Sequence, residues 1–412
     1  MRFLFQDDAF SFEALRVTGY APYGGADIGE VIITTREIQD GDEAGWHQHW
    51  KQTAERLHAA GEEALRAGHR VSARDALLRA SNYYRTADFY LRDSPAEDPE
   101  VALLSERVQE AFAAAARLLD PPAERLDIPF EGTTLPGYMF RPAYTRTPRP
   151  TLIYHGGYDS VLEEAYFAAG AAATRRGYNC IAFDGPGQGS VLRSQGLTFR
   201  PDWETVVGAV IDDALHRPEV DPDCIILMGT SLGGYLAARA AAFEHRLAAL
   251  VLHDAIFDAM SGLRALPPDL LQMANMGRDE DFARAIEPLT QQSTFLRWFL
   301  RNGVWAFGTG SSAGLIRAAH EYTLEGVASQ IDCPTLVLEA ENDHQFAGEA
   351  ERVADALSVP HQHVLLTDCE GAGEHCHEGA MLTFHQHAFD WLDDTLSRCG
   401  DRDTPDHERA TA

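Results

Sequence analysis

The spacing of apolar and polar positions divides the chain into regions of different character. From Trp46 the period is helical: Trp46, Trp50, Ala54 and Leu57 recur on one face, with Lys51, Glu55 and Arg56 between them. Gly61 or Gly68 ends or interrupts this helix. A second helix is expected from Ser72. There Ser72 and Asp75 give an S-x-x-D cap, Val71 and Ala76 sit where a staple would, and the pattern runs through Ala80, Tyr83, Tyr84 and Ala87. A third covers about 101–119. Ahead of Asp40 the pattern is mixed, with a turn at Gly24-Gly25-Ala26-Asp27 and a short apolar patch at Val31-Ile32-Ile33. Residues 1–120 therefore read as an N-terminal helical cap or dimerisation domain, whose Tyr83 and Tyr84 either pack or reach a substrate.

Pro121-Pro122 marks a change of period. Short apolar runs follow at 126–130, 135–141, 151–154, 178–183, 224–228, 247–252, 334–338 and 363–366. Between them lie helical stretches at 163–176, 203–216, 347–357 and 380–396. This alternation predicts an α/β domain over 121–398, built on a mostly parallel, doubly wound sheet. The alternation breaks over 257–330. That stretch, with Pro267-Pro268 and the aromatics Phe295, Trp298, Phe299, Trp305 and Phe307, reads as a helical lid over a mostly apolar pocket. Residues 399–412 are polar and read as a disordered tail.

Composition narrows the function. The chain has 412 residues and a net charge of −29, from 34 Lys and Arg against 63 Asp and Glu. So acidic a surface repels phosphate backbones and anionic lipid, which argues against nucleic-acid or membrane partners. No stretch approaches the ~20 apolar residues of a membrane span. The N-terminus turns acidic at Asp7-Asp8 without a signal-peptide core, and six cysteines are scattered. A reduced, cytoplasmic protein acting on a small molecule is expected.

One stretch carries chemistry. Gly229-Thr230-Ser231-Leu232-Gly233 lies between the apolar run 224–228 and an alanine-rich helix. Strand, G-x-S-x-G turn and helix are the context in which a serine hydroxyl is presented above strand tips. A serine needs an imidazole base, and the imidazole needs an acid to fix its tautomer. Asp343 follows the 334–338 strand and His375 follows the last one, so both stand at strand ends that can converge on Ser231. Glu339, Glu341 and Asp254 are rival acids, and His377 is a rival base. A developing oxyanion would be met by the backbone N–H of Leu232 and by the loop His155-Gly156-Gly157, through Gly157 or Tyr158. His155 itself is expected to brace that loop. Asp254, Trp298 and Trp305 join Tyr83, Tyr84 and His155 as candidate pocket residues. The H-x-H pairs lack zinc spacing, so neither metal nor cofactor is expected.

The elbow with Asp343 and His375 resembles the α/β-hydrolase fold. Gly24–Asp27 in the N-terminal turn, the helices at 46–57 and 72–84, the Asp184-Gly185-Pro186-Gly187-Gln188-Gly189 loop and the stretch 370–377 narrow the resemblance. Together they resemble a subfamily with a helical N-terminal domain. It includes 2,6-dihydropseudooxynicotine hydrolase and fungal polyketide chain-shortening C–C hydrolases. The resemblance implies hydrolysis of a C–C bond beside a carbonyl, an extra acid for which Asp254 or Asp258 could stand in, and a homodimer. An esterase, thioesterase, peptidase or cyclase would use the same three residues. A non-catalytic binding protein is the reading from another class.

Overall fold

The computed structural model describes residues 1–264, 266–343 and 345–400. Eight strands form a single sheet: β1 (Glu124–Phe130), β2 (Thr133–Phe140), β3 (Arg149–His155), β4 (Asn179–Phe183), β5 (Val220–Thr230), β6 (Ala249–His253), β7 (Thr335–Ala340) and β8 (His361–Leu366). Their order is β1-β2-β4-β3-β5-β6-β7-β8. β1 and β2 form a hairpin, β2 lies antiparallel to β4, and the remaining pairs are parallel. β4 and β6 are buried at every position. Central parallel strands are covered on both faces, which is why they read as unbroken apolar runs.

Alternate residues of these strands feed two cores. Leu152 and Tyr154 of β3 and Ile226 and Met228 of β5 join the aromatics of the N-terminal region. Ile153, Ile225 and Leu227 face the opposite layer with Trp203 and Tyr235. The period of two sends neighbours to opposite faces.

The N-terminal region is made of α1 (Asp8–Gly19), α2 (Ile28–Thr35), α3 (Glu43–Arg66), α4 (Arg70–Asp88) and α5 (Pro99–Ala116). The first two occupy the stretch whose pattern is mixed in sequence. Asp7 caps α1, its side chain accepting from the N–H groups of Ala9 and Phe10. Helix α3 passes through Gly61, where an added Cβ would stand 2.7 Å from Leu77 Cγ; the glycine lets α3 and α4 approach closely. The chain turns at Gly68 (φ 82°) and enters α4 at once, so the helix starts before Ser72 and the expected Ser72 cap is not formed.

Among the strands of the sheet come α6 (Ala171–Arg175), α7 (Gly189–Gln195), α8 (Glu204–Leu215) and α9 (Leu232–Ala241). The stretch expected as one helix over 163–176 is a 3-10 turn, a π turn over Tyr166–Gly170, and only then α6. Between β6 and β7 lie α10 (Pro268–Asn275), α11 (Asp279–Gln292), α12 (Thr294–Ala306) and α13 (Ser312–Ala319). α14 (Glu349–Ala356) precedes β8, and α15 (Met381–Gly400) ends the described chain. Helix α15 covers the first residues of the expected tail; 401–412 lie outside the described residues. Among the described residues, no helix is long and apolar enough to cross a membrane.

Candidate active site

β5 ends in the turn that carries Ser231. The serine takes φ 61° and ψ −127°, a left-handed backbone uncommon outside glycine. Its N–H donates to His253 O at 2.9 Å, and its own carbonyl accepts from Gly234 N at 2.7 Å. The loop after β3 packs directly against this turn. A Cβ on Gly157 would stand 2.7 Å from Thr230 O and 2.8 Å from Leu232 N, and one on Gly233 would stand 2.5 Å from Gly156 O. Both positions therefore require glycine for backbone to meet backbone. Gln188, from the loop after β4, braces the arrangement by donating to Gly156 O at 2.6 Å.

Ser231 Oγ lies 2.8 Å from His375 Nε2, and His375 Nδ1 lies 2.7 Å from Asp343 Oδ2. The loops after β7 and β8 are tied by Asn342 N donating to Gly373 O at 2.7 Å, which fixes the acid relative to the imidazole. Asp343 Oδ1 accepts from the N–H groups of Gln345 and Phe346, so its carboxylate is held from both ends. Burial opposes ionisation of Asp343, but the facing His375 and these donors hold it below the ordinary carboxylate value.

A second carboxylate stands beside the same imidazole. Asp254, after β6, has Oδ2 3.2 Å from His375 Nδ1 and also accepts from Cys376 N. Asp254 adopts φ 56° and is 3% exposed. Burial opposes charge on His375, yet the carboxylate of Asp343, with Asp254 adding to it, lifts the imidazole well above its ordinary value. Glu339 is instead paired with His363 at 2.7 Å, and Glu341 accepts from Asp368 N. His377 is fully buried, with both ring nitrogens unpartnered among the described residues. Asp258 caps the turn after Phe257 through Met260 N.

The three residues open into a cavity of about 880 Å³. Leu232, Gly157 and Tyr158 line it beside Ser231, and Tyr158 donates from its hydroxyl to Phe299 O at 2.5 Å. Phe295, Trp298 and Phe299 of α12 form one wall, and Phe12 of α1 another.

A model of the alpha/beta hydrolase family matches residues 152–390. The chain belongs to the alpha/beta hydrolase family. It is an α/β-type hydrolase, 35% identical to a hydrolase of Fusarium sp over 96% of this chain and 98% of that one. It is 34% identical to the 20-hydroxy-prefusarin hydrolase of Gibberella moniliformis, over 96% of this chain and 99% of that one. Its fold is that of the 2,6-dihydroxy-pseudo-oxynicotine hydrolase crystal structure, with a TM-score of 0.75 at 24% identity over 92% and 95% of the two chains.

Not every candidate pocket residue of this hydrolase reaches the cavity. Tyr83 is fully buried inside the helical region, its hydroxyl accepting from Asp27 N and donating to Glu30 Oε2. Tyr84 is also buried there, against His58. Neither lines the cavity, because the face of α4 that carries them packs on α2 and α3; Phe89 and Tyr90, just past α4, line it instead. Trp305 lies under the guanidinium groups of Arg92 and Arg193, outside the lining. His155 is fully buried and accepts from Trp203 Nε1 at 3.3 Å, and burial pushes its imidazole down to about 4. It braces the loop from behind rather than facing the cavity. Helix α1 supplies lining residues that the sequence pattern does not single out. Its one local signal is the Asp7-Asp8 pair ahead of Ala9-Phe10, an N-terminal cap followed by helix formers.

Proposed function

We propose that this chain is a cytoplasmic, cofactor-free serine-triad hydrolase. Its substrate is a small ketonic metabolite, polyketide-derived or aromatic, and the bond cleaved is a C–C bond next to a carbonyl. The observation that carries the reading is the 2.8 Å and 2.7 Å chain from Ser231 through His375 to Asp343, opening into the cavity. The fungal relatives, one of them a 20-hydroxy-prefusarin hydrolase, support the substrate class.

In this mechanism His375 Nε2 takes the Ser231 proton as Oγ adds to the substrate carbonyl. The carbonyl oxygen becomes an oxyanion, met by the N–H of Leu232 and of Gly157 or Tyr158. Collapse breaks the C–C bond. The electron pair leaves on a carbon stabilised as an enolate by a neighbouring carbonyl, and the His375 imidazolium delivers its proton to that carbon. Water, with His375 again as base, then releases the acyl group from Ser231 as a carboxylic acid. Asp254 has a role in this scheme. Protonating carbon demands an imidazolium that persists until the bond breaks, and a second carboxylate at Nδ1 favours the cation. The same reading includes a homodimer through the N-terminal helices, seen as a doubled mass in light scattering.

The test is product analysis by mass spectrometry with Ser231→Ala as control. Gain of one water, giving a carboxylic acid and a ketone, supports C–C cleavage. Conserved mass would mean cyclisation, and a carboxylic acid with an alcohol, thiol or amine would mean ester, thioester or amide hydrolysis. Full turnover by Ser231→Ala would sink the serine mechanism, as would failure of the folded wild type to label with a fluorophosphonate.

A further inference from the structure

The cavity is lined by a second set of ionisable groups that hydrolysis leaves unused. Glu13 and Arg16 of α1, Asp159 and Glu164 from the loop after β3, and Glu378 all border it. Arg16 is committed to three acids: Asp159 at 2.7 Å, Glu164 at 2.8 Å and Glu13 at 3.4 Å. Behind it Arg85 pairs with Glu13 at 3.2 Å and Glu164 at 3.4 Å. Tyr20 donates to Glu164 at 3.0 Å. Four carboxyl groups thus share two guanidinium groups, and Glu378 is the one left over. Its Oε1 is 3.8 Å from Arg16 Nε, beyond hydrogen-bond reach, and its Oε2 has no partner among the described residues. Glu378 is 5% exposed.

A buried carboxylate with no hydrogen bond is costly, and taking up a proton relieves the cost. Burial pushes the Glu378 carboxyl up to about 8; Arg16 and Arg85 pull against it, while Glu164 and Glu13 reinforce it. Tyr20 just past α1, Tyr154 of β3 and Cys376 of its own loop also face it, each held protonated by burial. In its neutral form the carboxyl is an O–H donor. The chain path to this residue is unusual. Cys376 and His377 both take φ 54°, a left-handed pair of non-glycine residues between His375 and Glu378. One short strained segment therefore sets the imidazole and the spare carboxyl into the same cavity.

We infer that Glu378 is a substrate-binding residue, a neutral carboxyl that donates a hydrogen bond to an uncharged carbonyl oxygen other than the one attacked by Ser231. The ketonic character of the ligand rests on the proposed function. The charges nearby decide its class. A cationic ligand would have to sit beside Arg16, and an anionic one beside Glu13, Asp159 and Glu164. An uncharged acceptor meets neither obstacle, and Glu378 lines the cavity with a carboxyl that no protein donor has taken.

Binding to the Ser231→Ala protein tests this without turnover, so an error in the serine mechanism would not affect the result. The probes are 1-phenylpentane-1,4-dione, valerophenone, which lacks the second carbonyl, and 4-phenylbutylamine, each titrated by calorimetry. The dione is expected to bind about tenfold more tightly than valerophenone, the scale of one hydrogen bond from a buried donor. Adding Glu378→Ala should bring the two within twofold, and adding Glu378→Gln, which keeps a donor, should preserve the preference. Raising the pH through about 8 should erase the preference in the Ser231→Ala parent but not with Glu378→Gln. If the alanine variant does not fold, the pH comparison between parent and glutamine variant decides alone. A preference independent of Glu378 and of pH, no binding of the dione, or an amine as the probe that depends on Glu378 would each overturn the inference.

Discussion

Asp254→Asn isolates the effect of one charge on His375. Asparagine is among the residues that best tolerate the left-handed backbone at this position (φ 56°). Its amide oxygen can replace Oδ2, which accepts from Cys376 N, while its NH₂ replaces Oδ1, which has no hydrogen-bond partner among the described residues. Oδ1 lies 3.8 Å from His377 Nδ1, a nitrogen that can accept from the new amide. The substitution thus removes charge and keeps shape. At the observed 3.2 Å, two unit charges interact by roughly 5 kcal/mol at an effective dielectric of about 20. That figure is an upper bound, because His375 Nδ1 has one hydrogen and Asp343 holds it at 2.7 Å. A carboxylate within this range shifts a partner by about 1–3 pKa units.

The sign follows from the role of His375. In the proposed mechanism only the neutral imidazole can take the Ser231 proton, and Asp343 and Asp254 overcome burial to keep the ring protonated to higher pH. Removing Asp254's charge lets the proton leave at lower pH. The acidic limb of kcat/KM for p-nitrophenyl acetate, followed from pH 5 to 10, should move down by at least about 1 unit. On a C–C substrate the plateau should fall further than on the ester, because that reaction also draws on the imidazolium as acid. A limb that stays within about 0.3 unit, in a variant with native circular dichroism, refutes the argument that Asp254 sets the charge state of His375.

Asp343→Asn should lower kcat by about 10⁴-fold with little change in fold, since the tautomer of His375 is then no longer enforced; stopped-flow ester hydrolysis reads it. Gly233→Ala places a Cβ 2.5 Å from Gly156 O, and should destabilise by about 1–3 kcal/mol in urea titration and lower turnover by displacing the loop that carries Gly157. Glu378→Gln should raise the melting temperature at pH 8 by more than at pH 5. The folded protein keeps a proton at Glu378 up to about 8 that the unfolded chain gives up above its ordinary value, so the wild type loses stability as pH rises through that window. Equal shifts at both pH values would count against a buried neutral carboxyl.

The strands and the elbow are legible in sequence for a local reason. Each central strand is buried on both faces and must be a short apolar run, and the elbow needs glycines where backbones touch. Ser231, Asp343 and His375 could be named because each lies in the loop that follows a strand. Helix α1 could not be read this way. Its buried face includes Ser11, Glu13 and Arg16, and these polar residues are stable there because Arg16 meets partners 143 and 148 positions further along the chain. Hydrophobic periodicity does not register a face buried by ion pairs. The same blindness directs attention to Tyr83 and Tyr84, whose aromatic character suggests a ligand; the Tyr83 hydroxyl is spent inside the helical region, and the Tyr84 ring is buried there against His58.

The cavity wall is a joint product of segments that are far apart in sequence. Thr294, at the start of α12, donates to Asp7 at 2.7 Å, Arg297 pairs with Glu43 at 2.6 Å, and Trp298 donates to Phe89 O at 3.0 Å. Arg92 donates to Asn302 at 3.0 Å in the same seam. The helical N-terminal region and the insertion between β6 and β7 are therefore stitched directly to one another above the sheet. The sheet sets the reacting groups through backbone geometry, so a G-x-S-x-G turn and two loop residues suffice to recognise them. Under the proposed function, substrate choice depends instead on α1, α12 and the Glu378 segment, which line the cavity together. A change in any one of them alters the cavity without touching Ser231, which is how a single hydrolytic centre can be kept while the molecule it acts on changes.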